Sequence, residues 1–160
     1  MRIPGRMRRR RCRGLSFIEL LIVLTITGIL ASIAYPSYAN HVLRARRLEG
    51  KVALLETMHQ QEILYSRSNR YGAFSYDSPG AGQAAFRWWS GPTAAASAYE
   101  LHAQPCAGAG PAGLAQCVEL VATPGTGRVD GRFRDPACGA LILSSTGEQR
   151  ADTGNPACWP

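Results

Sequence analysis

The residues of this chain with chemistry to offer are few: five cysteines, three histidines and, inside an apolar run, one carboxylate. Cys12 stands alone near the start, whereas Cys106, Cys117, Cys138 and Cys158 fall in the last third. Four thiols beyond a membrane-directed segment read as two disulfides in an exported domain, with three pairings open to them. Zinc is the competing chemistry. It lacks a C-x-x-C spacing, and His41, His59 and His102 are scattered, so no metal or other cofactor is expected.

Catalytic constellations are missing as well. There is no G-x-S-x-G, P-loop or H-E-x-x-H, and no carboxylate pair spaced to share a helix face with a nucleophile, so the chain does not read as an enzyme. Ser144 and Ser145 read as turn formers near a strand end. "VDGRFRD" at Val129 to Asp135 lacks the alternating oxygen ligands of a calcium loop, and Asp130-Gly131 reads instead as a turn. Trp88 and Trp89 beside Arg87 have the chemistry of a stacking platform for single strands or sugars, but packing of a Gly/Ala-rich loop is the favoured reading.

The carboxylate is Glu19, within "RGLSFIELLIVLTITGIL" from Arg13 to Leu30. An acid at the centre of a membrane helix costs about 2.5–3.5 kcal/mol on insertion scales, so such a group is usually paired and functional. A helix starting near Leu15 would let Glu19 answer the macrodipole in its first turn. A new N-terminus at Leu15 would add an α-amino group as a partner, with a reference pKa of about 7.7–8.0.

The elements that must position these groups follow from the charge and apolar patterns. Arg2, Arg6, Arg8, Arg9, Arg10, Arg11 and Arg13 precede Gly14; without those seven, 11 basic residues balance 11 acids. The formal charge of +7 therefore belongs to the leader. An apolar run follows it directly, so the arginines read as a cytoplasmic flank rather than a nucleic-acid arm. The segment Leu15 to Ala34 gives roughly 30 Å of helix, about one hydrocarbon core. Ser16, Glu19, Thr25, Thr27, Gly28 and Ser32 interrupt it.

From Tyr38 to Tyr65, Val42, Ala45, Leu48, Val52, Leu55 and Met58 recur at spacings of three and four, so one amphipathic helix continues the apolar one. Pro36 removes the hydrogen bond to Ser32, and Gly28 is a poor helix former, so a bend is expected between them. Residues 67–98 read as a long exposed loop. "YELHA" (Tyr99 to Ala103), "CVELVAT" (Cys117 to Thr123) and "ALILSS" (Ala140 to Ser145) have strand composition. The expected fold is α+β: a long N-terminal helix whose amphipathic half packs on an antiparallel sheet of three or four strands.

"GLSFIELLIVL" from Gly14 to Leu24, with its basic leader, resembles the processing motif of type IV pilins. "LLETMHQQEILYSRSNRYG" from Leu54, "CVELVATP" from Cys117, "CGALILSSTGEQ" from Cys138 and the terminal Cys158-Trp159 are similar, more weakly, to PilE-type pilins, often minor pilus components. The resemblance implies a leader over residues 1–14, a transmembrane and polymerisation helix over 15–37 and a globular pilin domain over 38–160. It implies cleavage by prepilin peptidase between Gly14 and Leu15, N-methylation of Leu15, and pairing of Glu19 with a neighbouring subunit's amine. Leu15 departs from the usual phenylalanine.

The resemblance also places helix disruption at Gly28 and Pro36, and pairs Cys106 with Cys117 and Cys138 with Cys158, each closure stabilising by about 3 kcal/mol. The implied partners are prepilin peptidase, other pilin subunits, the inner-membrane assembly machinery and, before assembly, the membrane itself; nucleic acid is not expected. The domain would be periplasmic first and displayed on a cell-surface pilus afterwards. A pseudopilin of a type II secretion system and a DNA-uptake pilin are the related alternatives. An ordinary signal peptide, cut before Tyr35 or Asn40, is the unrelated one.

Overall fold

The computed structural model describes residues 16–78 and 86–159. The chain divides into two compact units, one ending at His41 and one beginning at Val42. A single helix, α1 (Phe17–Ser68), runs through the first and into the second. It is helical throughout, including at Gly28 and Pro36. It ends at Asn69, whose positive φ of 52° and N–H bond to the Tyr65 carbonyl (2.8 Å) turn the chain out of the helix.

In the second unit four strands form an antiparallel meander: β1 (Tyr99–Pro105), β2 (Val118–Pro124), β3 (Leu141–Ser144) and β4 (Gln149–Ala151). The alternation of side chains puts one face of every strand into the core. Leu101 pairs with Ala122, Ala122 with Leu141 and Leu141 with Ala151, so one buried row crosses all four strands. A second row joins Ala103, Leu120 and Leu143.

The helix face over this core is not the expected stripe. Val42, Leu48, Val52 and Leu55 are 39–60% exposed, Ala45 is exposed too, and only Met58 of that set packs against the core. The packed face instead carries Gly50, Ala53, Leu54, Thr57 and Gln61. Gly50 is required there because a Cβ would lie 2.7 Å from the ring of Tyr99. Thr57 hides its hydroxyl by donating to the Ala53 carbonyl (2.7 Å). Small residues and internally satisfied polar ones thus make the closest approach, which an apolar count does not see.

The exposed-loop expectation for residues 67–98 also needs correction. Tyr71, Phe74 and Phe86 are 3–8% exposed, and Phe74 stacks on Phe86 at 4.9 Å. Phe74 and Trp89 make isolated bridges to Ala103 and Glu100, covering the free edge of β1. Fully buried Gln61 clasps the loop, its amide nitrogen donating to the Gly72 carbonyl (2.6 Å) and its oxygen accepting from the Gly72 N–H (2.8 Å).

Candidate functional site

The first unit presents the apolar part of α1 with its side chains uncovered, Phe17 at 76% and Ile33 at 69% exposure. By length and composition this helix can cross a membrane. Three of its hydroxyl groups bond within the helix. Thr25 donates to the Ile22 carbonyl (2.8 Å), Thr27 to Val23 (2.8 Å) and Ser32 to Ile29 (2.7 Å), which lowers their cost in lipid. Glu19 lies in the first turn, where the Ser16 carbonyl accepts the Leu20 N–H (3.2 Å). The carboxylate therefore faces the positive end of the helix dipole. Gly14 and Leu15 lie outside the described residues. Among the described residues nothing beyond the neighbouring helix backbone lies within 4 Å of where a Cβ would sit at Gly28, and Pro36 lies inside α1.

Within the second unit several polar contacts tie α1 to the rest of the domain, of which Gln61 with Gly72 is one. Arg47 grips Asp135 with two hydrogen bonds, Nε to Oδ2 at 2.8 Å and Nη2 to Oδ1 at 2.7 Å. Tyr99 donates its phenol to the same carboxylate at 2.9 Å. Asp135 has no exposed side-chain surface. Burial alone would raise its pKa, but the bonds from Arg47 and Tyr99 outweigh that and hold it below the ordinary carboxylate range. Burial, then the Asp135 charge, raises the Tyr99 phenol. Glu49 makes another, accepting from the Ser90 hydroxyl (2.6 Å), the Ala98 N–H (3.3 Å) and Arg46 (3.1 Å).

Cys106 is bonded to Cys117 and Cys138 to Cys158, with Cα separations of 5.5 and 5.7 Å. The second bond ties the segment after Asp135 to the C-terminus, where the Trp159 indole donates to the Arg150 carbonyl (2.8 Å) and Lys51 sits 5.5 Å over the Trp159 ring.

Trp88 and Trp89 form an edge-on pair at 5.1 Å, with Tyr76 edge-on to Trp88 at 4.7 Å and Arg128 over Tyr76 at 4.3 Å. Arg128 is also bound by Asp77 (2.8 Å) and Glu100 (3.0 Å). The tryptophans thus pack into the domain, and Arg87 turns to Glu56 (3.2 Å). Asp130 makes the turn, its carbonyl accepting the Phe133 N–H at 3.0 Å and its carboxylate the Arg132 N–H at 3.1 Å. Burial lowers the pKa of His102, against the pull of Glu100 and Glu119. Among the described residues no group of three or more His, Cys, Asp or Glu is placed to hold a metal. Sequence reasoning missed Arg47, Asp135, Glu49 and Gln61. Each sits in a segment whose local pattern gives no sign of its partner, 11 residues away for Gln61 and 41 to 88 for the others.

A family model described as "Type IV minor pilin ComP, DNA uptake sequence receptor" matches residues 36–142. A second, for the prokaryotic N-terminal methylation motif, matches residues 9–35. The chain is similar to "Type IV major pilin protein PilA" of Myxococcus xanthus, 38% identical over 65 residues, covering 41% of this chain and 30% of that protein. It is 35% identical over 72 residues to "Type IV major pilin protein PilE" of Neisseria gonorrhoeae, covering 45% and 41%. A "Fimbrial protein" of Pseudomonas aeruginosa is 41% identical over 54 residues, covering 32% and 35%. The chain thus spans 30–41% of the length of these curated relatives. Among solved structures it is similar to a type IV pilin from Shewanella oneidensis, with a TM-score of 0.44 and 24% identity, covering 74% of this chain and 98% of that one.

Proposed function

We propose that this chain, which belongs to the family described as type IV minor pilin ComP, DNA uptake sequence receptor, is cut between Gly14 and Leu15, methylated at Leu15 and built into a pilus as a minor subunit. It is a type IV pilin, a structural protein and not an enzyme. Before assembly α1 anchors it in the inner membrane with the second unit in the periplasm. Assembly moves the helix from lipid into a bundle of like helices, where Glu19 meets the amine of another subunit's Leu15. Prepilin peptidase, other pilins and the assembly machinery are the partners this requires.

The observation that carries this reading is Glu19 in the first turn of an uncovered apolar helix, inside a matched methylation motif. The uncovered Leu48, Val52 and Leu55 support it, because they continue an apolar surface beyond the anchor on which neighbouring subunits can pack. The continuity of α1 through Tyr35 and Asn40 favours it over an ordinary signal peptide. The test is peptide mass spectrometry of the chain recovered from cells that contain prepilin peptidase. A start at N-methylated Leu15 is expected; a start at Tyr35 or Asn40, or an uncut leader, refutes the reading.

The family match over residues 36–142 favours a second role, capture of DNA by the assembled subunit. Among the described residues Arg44, Lys51, Arg67, Arg70, Arg132 and Arg134 have no acidic partner at ion-pair distance, which supplies cations for phosphates despite the balanced overall charge. Retardation of duplex DNA by the processed chain in detergent should weaken steeply with salt. No retardation at low salt removes the DNA role and leaves the pilus role standing.

A further inference from the structure

The two disulfides sit in different surroundings. Cys138 and Cys158 are both 0% exposed. Cys106 and Cys117 are half-buried and line an open cavity of about 570 Å³. Exchange requires a thiolate to reach one sulfur of the bond, so access decides which bond reacts first. Glu119 and Glu148 also line the cavity, but both face Arg150, Glu148 at 3.8 Å, so an approaching thiolate meets only one net negative charge.

The sulfurs are not equivalent. Ser144 Oγ lies 3.7 Å from Cys106 Sγ and 3.6 Å from Cys117 Sγ, while Ser145 donates its hydroxyl to Cys117 alone, at 3.5 Å. Hydrogen bonds to a sulfur stabilise it as a thiolate, so Cys117 is the better leaving group and attack falls on Cys106. The segment between them is suited to release. Gly108, Gly110 and Gly113 hold φ of +85°, +57° and +48°; the segment is held by the Tyr71 N–H on the Leu114 carbonyl (2.9 Å), just past α1, and by the Tyr65 hydroxyl on the Ala115 carbonyl (3.5 Å). Val118 and Leu120, just beyond it in β2, are fully buried and remain in the core.

We propose that Cys106–Cys117 is a thiol–disulfide exchange site for dithiol reductants, opening the 106–117 loop while Cys138–Cys158 stays closed. One thiol of the reductant loses its proton to water and bonds to Cys106, and Cys117 leaves as a thiolate and takes up a proton. The second thiol of the reductant then displaces Cys106, which is protonated in turn. The dithiol is oxidised by two electrons to its own disulfide, and the protein gains two thiols.

The test uses the full chain in detergent, with free thiols blocked first so that Cys12 is silent. The chain is treated with dithiothreitol for graded times, quenched with an alkylating reagent and mapped by peptide mass spectrometry. Cys106 and Cys117 should be labelled about ten times faster than Cys138 and Cys158. Equal rates or the reverse order, including joint labelling because the domain has unfolded, overturn the proposal. A brief exposure to glutathione should leave the adduct on Cys106 and the free thiol on Cys117. The opposite distribution overturns the assignment of the leaving sulfur, as does an unchanged rate in Ser145→Ala.

Discussion

Replacing Asp135 with Asn removes one charge and almost no volume, which makes it a clean probe of the clasp between α1 and the segment before the C-terminal disulfide. Arg47 is left with 15% side-chain exposure and no carboxylate, and Tyr99 must compete for a single amide oxygen. Breaking a buried ion pair from one side typically costs about 3–5 kcal/mol, because the partner charge stays desolvated. The residual exposure of Arg47 points to the lower end, about 3 kcal/mol. For a unit running from Val42 to Pro160, that corresponds to a melting temperature lower by about 12 °C, at roughly 4 °C per kcal/mol. Circular dichroism melts of the processed chain in detergent read it directly.

The same residue fixes a pH dependence. The folded carboxyl lies below its ordinary value, so its contribution is complete above the unfolded pKa of about 3.9 and fades as the pH falls through the folded one. Asn imitates the protonated acid, so wild type and variant should differ fully at pH 7 and converge in strong acid. A loss under about 1 kcal/mol, far beneath what an orphaned buried charge costs, or a gap that persists unchanged into strong acid, refutes the reasoning.

Other perturbations separate the faces and ends of α1. Glu19→Ala should leave cleavage and Leu15 methylation intact while abolishing incorporation into sheared pili; immunoblots that find normal incorporation would overturn the assembly role. Leu48→Ser should change stability by less than about 0.5 kcal/mol, whereas Leu54→Ala should cost about 2–5 kcal/mol, because only Leu54 is enclosed. Equal losses in denaturant melts would restore the Leu48 stripe as the core face. Gln61→Leu should cost about 1–3 kcal/mol for each backbone group of Gly72 left without a partner, and a stability equal to wild type would show that water replaces the amide.

The legible features of this chain are those written in neighbouring residues. The membrane-length run, the strand compositions from Tyr99, Cys117 and Ala140, and the Asp130 turn depend on contiguous patterns, and the structure has them. The fourth strand, Gln149–Ala151, is three residues long, with only Ala151 buried, and exists because β3 offers it an edge. The α1 contact face was hidden for a different reason. Period analysis looks for large apolar residues, but Tyr99 fills the space at Gly50, so the helix contributes its smallest residue at that contact. Arg47 and Asp135, separated by 88 positions, leave no local trace at all.

The misplaced stripe bears on function more than on fold. A helix that needed Val42, Leu48, Val52 and Leu55 for its own domain would be apolar on that face and spent; here the domain is closed without them. Gly50, Ala53, Leu54, Thr57 and Gln61 face the core, so Val42, Leu48, Val52 and Leu55 stay exposed on the same helix. Exposed apolar surface of this extent is costly in water and is maintained where another surface covers it. Lipid can cover the first part before assembly, but a bilayer core of about 30 Å matches only about 20 residues of a helix running from Phe17 to Ser68. The stretch from Leu48 onward lies beyond that length, and in the proposed filament of like subunits neighbouring copies would cover it. In the proposed assembly Glu19 would follow the same logic at the other end, a group tolerated in lipid because the assembled state would supply an amine.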